Sequence, residues 1–136
     1  MAVVISGEYL GDKKVKAVHG PSGTELRTAA PIDNQGDGSS FSPTDLAAAS
    51  MATCMLTIMG IAAEKHGVDL TGATFRIEKH MNASPRYIKA MPVIFHLPSH
   101  LSDDMREVMK EAAYTCPVHR SFDPKVSITI DFNFDV

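Results

Sequence analysis

The sequence predicts an α+β fold of element order βββ-α-ββ-α-β. Three observations carry that reading: a β-branched opening broken by Gly-containing turns, one long apolar helix announced by a Ser-Pro signal, and a strictly alternating final stretch. With 136 residues, 44% hydrophobic and 21% charged, the chain is expected to form one domain over residues 1–136. A chain of that size buries about two-thirds of its unfolded surface, enough for a core without disulfides or structural metal. Sixteen acidic against thirteen basic residues give a net charge of −3, which argues against a nucleic-acid partner bound through phosphate neutralisation. Two cysteines, Cys54 and Cys116, are too few for a disulfide scaffold or a four-cysteine zinc site. The segment Met1 to Glu8 has no basic flank, and its apolar run is short for a signal peptide, so a cytoplasmic protein is expected.

Taken in order, Ala2 to Leu10 is rich in strand formers, and Gly11-Asp12 supplies a turn. Lys14 to His19 alternates, with Val and Ala on one face and Lys on the other. Gly20-Pro-Ser-Gly23 turns the chain again, and Thr24 to Thr28 forms a third strand, so the opening is an antiparallel meander. Pro31 to Ser40 reads as a loop. Phe41-Ser-Pro-Thr-Asp45 then starts a helix, with Ser42 as N-cap, Pro43 at the first helical position and Asp45 in the capping-box place.

That helix is expected to run from Pro43 to about His66, with Gly67 as its stop. At 1.5 Å per residue it would span roughly 36 Å, long for so small a domain. Leu46 to Ala63 carries no charge, which raises the question of a membrane span. Ser50, Thr53, Thr57 and Gly60 interrupt it and alanine supplies much of its apolar content. The expectation is therefore a helix buried nearly all round, not a membrane segment. Met51, Met55 and Met59 recur at four-residue spacing along it, a stripe suited to a core or a dimer interface.

Ala73 to His80 alternates as a strand, and Tyr87 to Leu97 forms another with an irregularity at Pro92. Ser102-Asp-Asp starts a second helix whose apolar face is Met105, Val108, Met109 and Ala112, ended by Pro117 after Cys116. Val126, Ile128, Ile130, Phe132 and Phe134 alternate in the last strand.

Of the two cysteines, Cys54 lies in mid-helix, where a thiol is commonly an inert small hydrophobe. Cys116 falls at the far end of the second helix, where the negative end of the dipole raises a thiol pKa. It is the poorer attacking thiolate of the two but a reasonable second thiol. Such a pair suits a cycle in which one cysteine is oxidised to sulfenic acid and the other condenses with it. The six histidines are scattered, with no His-x-x-x-His on a helix and no Cys-x-x-Cys, so no metal site is expected.

Phe41-Ser-Pro-Thr-Asp-Leu-Ala-Ala-Ala-Ser-Met-Ala-Thr-Cys54 and the apolar helix after it resemble the first signature of the OsmC/Ohr family of osmotically inducible and organic hydroperoxide resistance proteins. Tyr114-Thr-Cys-Pro-Val-His119 is similar to the second signature, and the order of elements agrees over essentially the whole chain. The resemblance implies an OsmC-like fold in an intertwined homodimer, with the two long helices packed at its centre. It implies that Cys54 is the nucleophile that reduces an organic or hydrogen peroxide and that Cys116 resolves its sulfenic acid as a disulfide. The partners implied are the peroxide and a thiol reductant. No bound cofactor is implied, only an external dithiol.

One departure concerns the catalytic apparatus. The glutamate that follows the signature proline in the hydroperoxide reductases is replaced here by Thr44, with Asp45 one place later. One residue rotates a side chain by about 100° around a helix, and nine residues of rise put Asp45 roughly 13 Å from Cys54 along the axis. Asp45 is thus a helix cap, or else an acid offered to the partner chain's nucleophile. Arg27 is the only arginine before the helix, and is either the family's activating arginine or a solvated strand residue. His119, with Arg120 after it, is an alternative cation for a thiolate, or a turn histidine with a local bond. The competing function is an OsmC-fold dimer without efficient peroxidase chemistry that binds a small apolar or thiol-reactive ligand between subunits.

Overall fold

In a computed structural model all 136 residues are described, and the chain divides into two compact units, Met1–Leu46 and Ala47–Val136. The first holds strands β1 (Ile5–Gly11), β2 (Lys14–His19) and β3 (Glu25–Ala29), paired antiparallel in the order β1-β2-β3. This is the predicted meander, with its first strand starting three residues later than expected. The tight β1–β2 connection is reached through positive φ angles at Gly11, Asp12 and Lys13.

Pairing of Tyr9 with Val15 and of Ala17 with Leu26 puts Ile5, Tyr9, Val15 and Leu26 on one face of this sheet. These side chains are exposed, Ile5 at 67% and Tyr9 at 65%. The other face carries Glu8, Lys16 and Arg27, with Lys16 opposite both Glu8 and Arg27. The residues after β3 are tied back to it by the Ala29 N–H donating to the Phe41 carbonyl at 3.0 Å and the Ser40 hydroxyl donating to the Arg27 carbonyl at 3.1 Å.

Helix α1 (Pro43–Lys65) begins with the predicted capping box. The Asp45 N–H donates to Ser42 Oγ at 3.0 Å, and the Ser42 N–H donates to Asp45 Oδ2 at 2.9 Å. The expectation that the helix is buried nearly all round does not hold within one chain. Ala48, Met51, Ala52, Met55, Met59 and Ala63 form a single buried stripe, whereas Ser50, Thr53, Thr57 and Ile61 are exposed. Small alanines and hydroxyls supply the length without a second buried face. By length and composition α1 meets the requirement for a membrane span, but its methionine stripe is fully enclosed by protein.

The second unit is built on β6 (Tyr87–Leu97). Along one edge of β6 lie β4 (Thr74–Ile77) and β5 (His80–Asn82), both antiparallel to it. The strand expected over Ala73 to His80 covers β4 and only the first residue of β5. They share a register, Ile77 opposite Val93 and His80 opposite Ala90, and the break between them faces Pro92. The proline has no N–H to give, so the irregularity expected at Pro92 appears as an interruption of its neighbour. Along the other edge β7 (Ser127–Phe134) runs parallel to β6.

A parallel pair needs a crossover. Here it is α2 (Asp103–Tyr114), capped by Ser102 Oγ accepting the Met105 N–H at 3.2 Å, followed by a five-residue helix, α3 (Pro117–Ser121). The core lies between the helices and the inner face of the sheet: the α1 methionine stripe, Met91, Val93, Phe95 and Leu97 of β6, and Met109 and Ala113 of α2. Met105, Val108 and Ala112 pack against it, which is the apolar face predicted for α2.

Candidate functional site

Cys54 and Cys116 belong to the same unit and meet where α1 passes the α2–α3 junction. Both are free thiols. Cys54 is half-buried, packed against the core, and Cys116 is fully buried within it. On the helix Cys54 stands between the buried stripe (Met51, Met55) and the exposed Thr53 and Thr57, so its thiol borders both environments.

The setting of Cys116 differs from the sequence expectation. Helix α2 ends at Tyr114, with Thr115 as its C-cap, and Pro117 does not stop a helix but opens the next one. Proline is favoured at a first helical position because its missing N–H would be unpaired there anyway. Cys116 is therefore the N-cap of α3, and its sulfur accepts the His119 N–H at 3.3 Å. Burial pushes the Cys116 thiol above its ordinary value, and the adjoining Cys54 thiol adds to the rise. The His119 and Val118 amides pull in the opposite direction, but burial wins.

The His119 imidazole packs edge-on against Tyr114, with ring centroids 6.3 Å apart, and Tyr114 in turn lies 6.5 Å from Phe132. What His119 offers the cysteine pair in this chain is its main-chain amide. That role was not read from the sequence, although Cys-Pro before a short polar turn carries its signal: the residue preceding a helix-opening proline is an N-cap. Directly after Cys116, the residues Pro117, Val118, Ser121 and Phe122 line an open, mainly apolar pocket of about 300 Å³.

Arg27 and Asp45 lie in the N-terminal unit. Arg27 is on the charged face of the meander, exposed, across from Lys16. The Asp45 carboxylate accepts the capping bond from Ser42, as described. Thr44 shares that turn, its hydroxyl 3.1 Å from Ser42 Oγ.

The profile of the OsmC-like proteins matches residues 36–131, most of the chain and both cysteines. The chain belongs to the OsmC-like family. A solved structure from Psychrobacter arcticus 273-4, named as an osmotic stress induced and detoxification response protein, is 37% identical, covers 98% of this chain and 97% of its own, and superposes with a TM-score of 0.92. The organic hydroperoxide resistance protein OsmC of Legionella pneumophila is 18% identical over 98% of this chain and 97% of its own, with a TM-score of 0.73. An organic hydroperoxide resistance protein of Elizabethkingia anophelis, with thiocyanate bound, is 10% identical over 99% and 97%, with a TM-score of 0.74. The last two share the OsmC-like α+β fold at low identity. A comparison with curated proteins finds no match.

Proposed function

We propose that this OsmC-like protein is a thiol-dependent peroxidase that reduces organic hydroperoxides through Cys54 and Cys116. The observation that carries the reading is the pairing of one half-exposed and one buried free thiol on neighbouring elements. Cys54 attacks the terminal peroxide oxygen; the O–O bond breaks, the alcohol leaves with a proton, and Cys54 becomes a sulfenic acid. The Cys116 thiolate then attacks the Cys54 sulfur, water departs, and a disulfide closes. A dithiol reductant returns both cysteines to thiols. The mainly apolar pocket lined by Pro117, Val118, Ser121 and Phe122, the residues that follow Cys116 in the chain, suits an alkyl group, which supports an organic rather than a purely inorganic peroxide. The hydroperoxide resistance names of relatives with this fold point the same way.

The test is hydroperoxide consumption. The protein should consume cumene hydroperoxide in the presence of a dithiol, and Cys54→Ser should reduce the rate to that of the dithiol alone; equal rates for the two proteins would overturn the reading. The competing function, a ligand-binding dimer with little peroxidase chemistry, is favoured by Thr44 at the expected glutamate and by the occupation of Asp45 as a cap. It predicts that equality of rates, together with a small molecule retained next to Cys54.

We further propose that the working unit is a homodimer. Two apolar surfaces support it: the exposed face of the meander with Ile5, Tyr9, Val15 and Leu26, and the outer side of α1 with Ile61 at 46% exposure. Adjacent exposed side chains of this size are uncommon on a monomer. Sedimentation equilibrium should give twice the chain mass, and a single-chain mass at micromolar concentration would remove the dimer from the proposal.

A further inference from the structure

The two sulfurs differ in access. Cys116 has no exposed surface, and the groups that enclose it belong to its own chain, in the cluster with Met109 and Ala113. A second subunit lying on α1 would cover Cys54 further but could not uncover Cys116. A thiolate attacks a disulfide in line with the S–S bond, from behind the sulfur it bonds to, through a mixed disulfide. Cys116 lies wholly within the core cluster, so no side of its sulfur is open to an incoming thiolate. The half-buried Cys54 stands at the border of α1's exposed face. The Cys116 sulfur is also held by the His119 N–H at 3.3 Å, with the Val118 amide contributing less and Pro117 having no N–H to offer.

We propose that a thiol reductant attacks the Cys54–Cys116 disulfide at the Cys54 sulfur and expels Cys116, whose departing sulfur is received by the His119 amide. This rests on the redox-pair reading above and deepens it, because it names the atom at which reductant and protein are joined. The reductant thiolate bonds to Cys54 Sγ, the S–S bond breaks, and its electron pair goes to Cys116 Sγ, which then takes a proton. The second thiol of the reductant, as thiolate, attacks the reductant sulfur of the mixed disulfide and releases the Cys54 thiolate. The reductant leaves as a disulfide, having given two electrons. Burial works against the leaving group, since a thiol of raised pKa departs more slowly. Access still decides the site of attack, because a sulfur that cannot be approached from behind does not react, and the amide bond lowers the cost of departure.

The experiment closes the disulfide with diamide, so that its formation does not depend on peroxidase activity. The oxidised protein is mixed with excess 2-mercaptoethanol, quenched in acid, treated with a maleimide and mapped by peptide mass spectrometry. The expected product carries mercaptoethanol on Cys54 and maleimide on Cys116. The reverse pattern, or equal labelling of both, overturns the proposal. If diamide closes no disulfide, this proposal and the peroxidase reading fall together. If diamide closes it and the labels fall as expected while hydroperoxide does not close it, the peroxidase reading fails alone.

The amide is tested with His119→Pro, which removes its proton, against His119→Ala, which keeps it. Loss of a hydrogen bond to a charged sulfur should slow exchange about tenfold in the proline variant relative to the alanine variant. In a Cys54→Ser background, the thiolate absorbance of Cys116 should titrate at higher pH in the proline variant. Equal rates and equal titrations would remove the amide from the step.

Discussion

Replacing Cys116 by serine should leave one reduction of hydroperoxide per chain and then stop the disulfide-linked cycle. Cys54 keeps its position on α1, bordered by Met51 and Met55, so the first O–O cleavage survives the substitution. What is lost is the second thiol, the one adjoining group able to capture the sulfenic acid as a disulfide. With limiting dithiol, consumption should end after about one equivalent, and mass spectrometry should find oxygen on Cys54 and no intramolecular disulfide. Continued turnover at the unaltered rate would show that Cys116 is not the resolving group.

The unaltered protein adds a pH signature. The attacking species in disulfide closure is the thiolate, and burial pushes the Cys116 thiol above its ordinary 9.0. Its thiolate fraction is therefore small at neutral pH and grows about tenfold per pH unit until the raised pKa is reached. Closure, followed after a single charge of hydroperoxide, should accelerate as pH rises through the ordinary thiol value and beyond it. A closure rate that levels off below that value would contradict the assignment of a buried attacking thiol.

Phe95→Ala should be the most destabilising single change in the second unit, costing about 3–5 kcal/mol. Phe95 has no exposed surface and is the largest fully buried side chain. It stands at the middle of the sheet, opposite Phe75 on one neighbouring strand and Phe132 on the other, stacked on the latter with ring centroids 5.9 Å apart. Removing the ring takes away contacts to both strands together and leaves a cavity that β6, held on both edges, cannot collapse to fill. Urea denaturation followed by far-UV circular dichroism measures the loss. A change below about 1 kcal/mol would mean that this position is not the keystone of the sheet.

Much of this architecture is legible in the sequence, for reasons that are local. Ser42, Pro43 and Asp45 declare a helix start because capping uses residues three apart, and Ser102 does the same for α2. Alternation announces β2, β4 and β7 because a strand with one apolar face repeats every two residues. The features that escape are set at long range or by main-chain atoms. Nothing in Ser127 to Phe134 says that it pairs parallel to β6, since the pairing depends on where the crossover delivers it. The one-sided burial of α1 is marked in the sequence only by the Met51, Met55 and Met59 stripe, because alanines and hydroxyl side chains leave the rest of the helix nearly even in hydrophobicity. The change of Cys116 from a C-terminal to an N-cap setting turns on the helix ending two residues earlier, an amount by which sequence-drawn boundaries are routinely uncertain.

The same division holds for the site. Cys54 and Cys116 are singled out as candidates by their signatures, and the structure places them in one unit with their thiols adjoining. His119 is found for its ring, but it is the amide that engages the cysteine. Arg27 is found because it is the only arginine ahead of the helix, and the strand alternation puts it on a charged face with Glu8 and Lys16. Side-chain chemistry is written in the sequence, whereas a backbone donor is written only in the turn that presents it.

The parallel ladder between β6 and β7 has a consequence for how the molecule is assembled. Each pair in it joins residues 37 positions apart, from Ala90 with Ser127 to Leu97 with Phe134. The β5–β6 hairpin, in contrast, joins Asn82 to Tyr87 across a short turn. Closing a long loop costs entropy before any contact repays it, so hairpin and helices can form early while the ladder waits. The strand that is plainest to the eye in the sequence is thus the one whose partner is hardest to reach. Until it docks, the edge of β6 and the rings of Phe132 and Phe134 are open to whatever else the solution contains.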